Sequence, residues 1–316
     1  MANLLELVTA EQLEVYELTG LKGEGLGLSF SSEGNCIAIC GNDPNILLFD
    51  DYVDFKKRGF PLVGHKNAVL EVCWNKQSNG TLVSCSADRT VGLWDVEFLK
   101  CLTRFKGHSD IVNSCKIEDS IIVSGSDDGT VRVWDIRVST KESCIYEHKW
   151  NYQITAVTLD CNMSNIYCGG IENIIFCIDL RGNNIAKITG HNDTITGLDI
   201  RTEADQLVSN SMDGSIIIWD VRPYSLVEDR KLSTLVGSQH NFEKNLHRVR
   251  WNSDGDLIAA ASSDCYVYIW SVKYQKLFQK LPGHTGATTD ISFHPKLPII
   301  ASIGMDRRAL IGKYTN

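Results

Sequence analysis

The sequence predicts an all-β protein, a ring of seven four-stranded blades, and three observations carry that prediction. Seven times a turn acid sits six residues ahead of the end of a short apolar strand: Asp43, Asp88, Asp128, Glu172, Asp213, Asp264 and Asp306 precede Phe49, Trp94, Trp134, Ile178, Trp219, Trp270 and Gly312. Those strand ends are spaced by 45, 40, 44, 41, 51 and 42 residues. Gly-His falls early in the repeat and Trp-Asp late, as in a propeller blade of four antiparallel strands. Seven such units use nearly all of the 316 residues, so residues 13–316 read as a single propeller domain behind a short N-terminal segment, 1–12.

Taken in order, blade one opens at Gly20-Leu21 and turns at Asp43, and blade two opens at His65. Blade three shows the unit most fully. Gly107-His108 opens it; Ile111, Cys115 and Ile117 begin an inner strand; Ile121 to Ser124 form a second. Asp127-Asp128-Gly129 makes a tight hairpin, with glycine free to take positive φ. Val131, Val133 and Trp134 follow, and Lys141 to Tyr146 are expected as the outer strand. Blade four is read as opening at Glu147-His148, with Glu172 and Ile178 later. Blade five opens at His191. Blade six is read as opening at Gln239-His240, with Ala260 in its second strand. Tyr224 to Phe242, in the longest interval, reads either as an ordered insertion or as a loop. Blade seven keeps His284, Ser302 and Asp306 but ends in Gly312, four residues before the last. That is too few for an outer strand, so Leu13 to Leu18 are expected to complete the blade and close the ring.

Composition narrows the function. No run of 18 apolar residues is present, so no membrane span is expected. The first 18 residues carry acids and lack a basic region before a small-residue cleavage site, unlike a secretory leader. Eleven cysteines are scattered, several inside apolar strands, which fits structural thiols in a reducing intracellular compartment. A net charge of −8 disfavours broad binding of nucleic acid. The basic runs, Lys56-Lys57-Arg58, Lys244 with His247, Arg248 and Arg250, and Arg307-Arg308, read as solvated surface. No P-loop, serine-nucleophile elbow or zinc spacing occurs. The Gly-x-Gly-x-Gly run Gly23 to Gly27 does not lead from a strand into a helix. The His–Asp pairs repeat at offsets of 22 or 23 residues in blades two, five and seven, as scaffold does. No enzyme activity, cofactor, metal or small-molecule substrate is expected.

Along its full length the chain resembles the WD40-repeat propellers. That resemblance implies hydrogen-bonded side-chain tetrads: His65, Ser84, Asp88 and Trp94; His108, Ser124, Asp128 and Trp134; His191, Ser209, Asp213 and Trp219. It also implies partner contacts around one rim. Aligning the inner strands on Phe30, Trp74, Ile117, Leu159, Ile200, Trp251 and Phe293 puts Leu26, Leu70, Asn113, Thr155, Thr196, His247 and Thr289 there, four positions earlier. The residues before the turn acids form a second rim set: Asn42, Ala87, Asp127, Ile171, Met212, Ser263 and Met305. Their apolar and small-polar mix suits a protein surface.

Connector stretches such as HNFEKNL and VRPY resemble the WD-repeat family of the U5 small nuclear ribonucleoprotein (U5 snRNP). That implies a non-catalytic nuclear scaffold in pre-mRNA splicing. Its partners would be proteins of the U5 snRNP, the large core protein and the GTPase, with RNA contact indirect or minor. An alternative stays open. Asp135-Ile136-Arg137, Asp179-Leu180-Arg181 and Asp220-Val221-Arg222 resemble the endings of propellers that serve as substrate receptors of cullin-RING ubiquitin ligases. There Arg137, Arg181 and Arg222 would contact the ligase adaptor; otherwise each arginine caps its strand beside its own aspartate.

Overall fold

Short apolar segments punctuated by tight turns pair with their chain neighbours into seven antiparallel sheets of four strands. The computed structural model describes residues 15–50, 59–78, 80–138, 142–182, 184–225, 227, 229–241 and 245–314. Segment 1–12, Leu13, Lys56-Lys57-Arg58, Lys141, Phe242 and Lys244 lie outside the described residues. In blades one to six the strands pair in chain order. The first strands of successive blades pack on one another around the axis, and the fourth strands form the outer wall. Blade three runs Val112–Glu118, Ile121–Ser126, Thr130–Asp135 and Cys144–Lys149. Blade seven takes its outer strand from the beginning of the chain. Val15–Leu18 pairs antiparallel with Ala309–Lys313, Val15 opposite Gly312 and Leu18 opposite Ala309. The ring therefore closes as the sequence predicts, and the last blade has no bare edge on Ala309–Lys313.

No blade has a core of its own. Every hydrophobic cluster straddles two neighbours: Trp94 of blade two packs with Ile46, Leu48 and Leu62 of blade one. Trp134 of blade three packs with Val83, Val91 and Phe105 of blade two. Stability is thus shared along the ring. The tryptophans also explain the glycine of Gly-His. A Cβ on Gly64 would lie 2.7 Å from the Trp94 ring, and one on Gly190 2.8 Å from that of Trp219.

Register corrects two blade openings. Thr90 pairs with Lys106 just before Gly107-His108, and Thr130 pairs with Lys149. The matching pair in blade four is therefore Trp150-Asn151. Glu147 and His148 belong to the outer strand of blade three, where Glu147 faces Arg132. In the same way Ser215 pairs with Val236, so blade six opens at Gly237-Ser238 rather than at Gln239-His240. Irregular connector lengths hid the offset. The segment from Tyr224 is not a free insertion either, because Lys231–Val236 is the fourth strand of blade five.

Candidate functional site

In blades two, three, five and seven the second strand carries a serine within reach of the turn histidine: Ser84, Ser124, Ser209 and Ser302. In blade three the Trp134 Nε1–H donates to Ser124 Oγ at 2.9 Å, and Ser124 Oγ lies 2.7 Å from His108 Nε2. His108 Nδ1 sits 3.1 Å from Asp128 Oδ2. An indole only donates and a carboxylate only accepts, so the serine hydroxyl relays to Nε2 and the histidine carries its proton on Nδ1. Blade two repeats the chain with 2.7, 2.7 and 2.9 Å. Blade five repeats it with 2.8, 2.6 and 3.1 Å. The sequence reading missed a further member. Thr90, Thr130 and Ser215 each donate a hydroxyl to the aspartate two residues earlier. Burial alone would raise these aspartates, but the histidine, the hydroxyl and backbone amides outweigh it and hold them well below the usual carboxylate range.

The remaining blades improvise. In blade seven His284 bridges Asp306, 3.0 Å, and Ser302, 2.9 Å, with no indole behind. In blade six Asp264 accepts from Tyr268 Oη at 2.6 Å and from Lys280 Nζ at 3.0 Å. His240 turns away to face His247, ring to ring at 4.8 Å.

The first rim set lies elsewhere than its alignment suggested. Asn113, Thr155, Thr196, His247 and Thr289 are buried. Each donates to a backbone carbonyl of the next blade's inner strand: Asn113 to Ile154, Thr155 to Ile195, Thr196 to His247, His247 to Thr288 and Thr289 to Gly25. The physical cause is a β-bulge. In six of the blades this position is the residue skipped by the ladder, so its side chain swings toward the neighbouring blade. These five are stitches between blades. Leu26 and Leu70 stay half-buried. In the second set, Asn42 and Ile171 are exposed, while Ala87, Asp127, Met212, Ser263 and Met305 are half-buried. Two of these are tied inward: Asp127 accepts from Asn113 at 2.6 Å, and Ser263 lies 2.7 Å from His247 Nε2. Burial lowers His247 to about 3, so the ring is neutral.

The channel holds what the sequence reading missed. Arg248 and Arg250, expected on solvated surface, are buried. Arg248 reaches across the ring from blade six and donates to the carbonyls of Asn113, Thr155 and Thr196. Arg250 Nη2 lies 2.8 Å from Glu71 of blade two and 3.2 Å from Asp290 of blade seven. Glu71 also takes Lys116 Nζ at 3.3 Å and the Ser114 hydroxyl at 2.7 Å. Burial would raise Glu71, but Arg248, Lys116 and Arg250 together hold it far below the usual range. Asp290 shares the same cations, yet burial and the charge of Glu71 leave it raised. The signal was available in the inner-strand register. The residues three and one before each anchor share a face. They include Glu71, Ser114, Arg248 and Asp290 in one ring, and Lys116, Asp199 and Arg250 in the other. At one end of the channel, Phe30, Trp74, Trp251, Phe293, Lys116, Asp199 and Arg250 help to line a cavity of about 360 Å³.

Two of the three Asp-x-Arg endings are closed on themselves. Arg137 grips Asp135 through Nε and Nη2 at 2.9 and 2.7 Å, and Arg222 grips Asp220 with the same two distances. For Arg181 the bond is from its backbone amide to Asp179, at 2.9 Å.

The WD40 family (WD domain, G-beta repeat) matches residues 56–95, 99–135, 182–220, 230–271 and 275–311. The chain is 40% identical over 306 residues to the U5 small nuclear ribonucleoprotein 40 kDa protein of Homo sapiens, covering 96% of this chain and 84% of that protein. It is 36% identical to the protein of the same name in Dictyostelium discoideum, over 95% and 84% of the two lengths. Identity to the pre-mRNA-splicing factor cwf17 of Schizosaccharomyces pombe is 34%, over 94% and 86%.

Proposed function

This chain belongs to the WD40 propellers, in the family of the U5 small nuclear ribonucleoprotein 40 kDa proteins, and from that premise we propose that it is a non-catalytic scaffold of the U5 particle in nuclear pre-mRNA splicing. One observation carries the reading: the likeness to two U5 proteins and a splicing factor runs over nearly the whole propeller, connectors included. The side chains of the ring support a scaffold role. Histidines and acids that could do chemistry are committed to one another, in the blade-top chains and in the channel. Docking then falls to what the ring leaves open, including Ile171 and the half-buried Ala87, Met212 and Met305 on one rim. The partners are the large U5 core protein and the U5 GTPase, met in the reducing interior of the nucleus.

The test is affinity purification of the tagged protein from its own cells, with RNA and protein both sequenced. Recovery of U5 RNA together with the large core protein and the GTPase is expected. A cullin adaptor without U5 RNA would overturn the reading and make Arg137, Arg181 and Arg222 the functional surface.

A further inference from the structure

In five blades the outer strand carries a charged residue at one recurring position, opposite the residue two before the third strand's end; blades one and five have Pro61 and Thr234 there. Three of the five charges pair with an opposite charge on their own blade, and in blade four Lys187 lies over the Phe176 ring. Glu147 of blade three pairs with Arg132 at 3.0 Å. Lys280 of blade six pairs with Asp264 at 3.0 Å. Glu17 of blade seven pairs with Arg308 at 2.6 Å. Blade two breaks the pattern. Its charge at this position is Arg104, and the residue opposite is Gly92. No side chain can grow there, because a Cβ on Gly92 would lie 2.8 Å from Trp94 Nε1 and 3.0 Å from both His65 Nε2 and Ser84 Oγ. Arg104 Nη1 lies 3.9 Å from Asp88. That carboxylate is already occupied by the His65 ring, the Lys66 and Thr90 amides and the Thr90 hydroxyl. Arg104 Nη2 is buried with no oxygen or nitrogen acceptor among the described residues, and the Cys101 thiol is the weak acceptor beside the guanidinium. A guanidinium with only a thiol and a distant carboxylate lacks the strong acceptor that a native site ordinarily provides.

The surroundings say what acceptor would fit. A cavity of about 300 Å³ opens beside Arg104, lined also by Lys66, Arg89 and Lys106. These three are exposed, and Arg89 stands where the turns of blades three and five carry Gly129 and Gly214. Four cations thus converge on a space whose single acid is spent within the blade, in a chain of net charge −8. Such a field calls for a compact dianion, and a guanidinium with free N–H groups is the donor geometry that a phosphoryl group accepts. The site is a pocket and not a track, and the one ring among its described lining residues, His108, is committed to Ser124 and Asp128 and not free to stack a base, which separates it from a single-strand nucleic-acid groove. We propose that this cavity between blades two and three captures a phosphorylated serine or threonine on a partner peptide, with Arg104 as the central donor and Lys66, Arg89 and Lys106 around it. The inference is independent of the splicing assignment.

Three probes test it: a degenerate peptide array with a central phosphoserine, the same array unphosphorylated, and a labelled 12-nucleotide single-stranded RNA. The intact protein should bind the phosphorylated array at least tenfold better than its twin, and excess salt should weaken that binding. Arg104→Gln should remove the preference. Because Arg104 is partly buried, Arg89→Asn is the second variant; its side chain is exposed and asparagine tolerates the left-handed turn. It should cut phosphopeptide binding at least threefold at an unchanged melting temperature. Equal binding of the two arrays, or a preference that survives both substitutions, would overturn the proposal. So would RNA that displaces the peptide and itself loses binding in Arg104→Gln, since the pocket would then serve a nucleic-acid backbone.

Discussion

The blade tops and the channel solve the same problem in opposite ways. Both bury carboxylates, and both hold most of them ionised. The blade tops do it with a local unit repeated three times, in which a histidine and a hydroxyl from one blade satisfy that blade's own aspartate. The channel does it once, with Glu71, Asp290, Lys116, Arg248 and Arg250 drawn from blades two, three, six and seven. A fault in one blade top is contained, because the neighbouring blade keeps its own chain. The channel network has no spare copy. Its side chains are also the ones that tie blade six to blades two to five across the axis.

Acid should produce the largest effect, because it reaches both regions. Glu71, Asp88, Asp128 and Asp213 are held well below the carboxylate range, and Asp306 at about 2. In the unfolded chain these groups titrate near about 4. Below that pH the unfolded state binds more protons, so their stabilisation is full above about 5 and drains away as pH falls toward the folded values. Asp290, Asp127 and Glu118 have the opposite sign, since burial raises their carboxyls and makes ionisation a cost that acid relieves. Asp135, Asp220 and Asp264 are lowered as well, so eight lowered carboxylates oppose three raised ones. Urea midpoints should hold from pH 7 to 5 and drop steeply from 4 to 3; a level profile down to 3 would mean the carboxylates are not held as described. Next in size, Glu71→Ala leaves three buried or half-buried cations short of an anion and should cost about 3–5 kcal/mol. A loss below about 1 kcal/mol would break the contrast, showing that water screens the channel.

Legibility follows the same division. The strands, the turn acids and the blade-top chains announce themselves because each recurs at a fixed offset, so Asp128 can be read with Asp88 and Asp213 beside it. The channel cannot be read that way. Arg248 and Arg250 look like one more exposed basic run, and their partner Glu71 lies 179 residues from Arg250. Only stacking the seven inner strands brings the two together, and then alternate positions fall on one face. The bulge misled in the other direction. A ladder without it would put Thr155 on the face of Val157 and Leu159, and Thr196 on that of Leu198 and Ile200, toward the preceding blade, whereas the skipped residue reaches the next one. The irregular openings at Trp150-Asn151 and Gly237-Ser238 were hidden because no motif residue marks them. The Arg104 pocket was equally silent, since its meaning lies in Gly92 opposite, in a pairing that needs the register.

The smallest effect makes the sharpest internal comparison, because the same substitution can be made in a complete chain and in an incomplete one. In blade three Ser124 is fully buried and holds two partners, the Trp134 indole and His108. Ser124→Ala strands both, and a buried group left without a partner costs about 1–3 kcal/mol. In blade seven Ser302 holds only His284 of the equivalent pair, and that imidazole is as closed to water as the one in blade three. Ser302→Ala therefore strands one buried group and not two, and should cost about 1 kcal/mol, less than Ser124→Ala. Urea unfolding of the two variants gives the difference directly. Adding Trp134→Phe to Ser124→Ala supplies the control, because the indole donor can be lost only once and the double variant should fall short of additivity. Equal costs for the two serines would mean that the tryptophan contributes by filling space between blades and not by its hydrogen bond, and Gly312 in blade seven would then be the weaker packing position, not merely the missing donor.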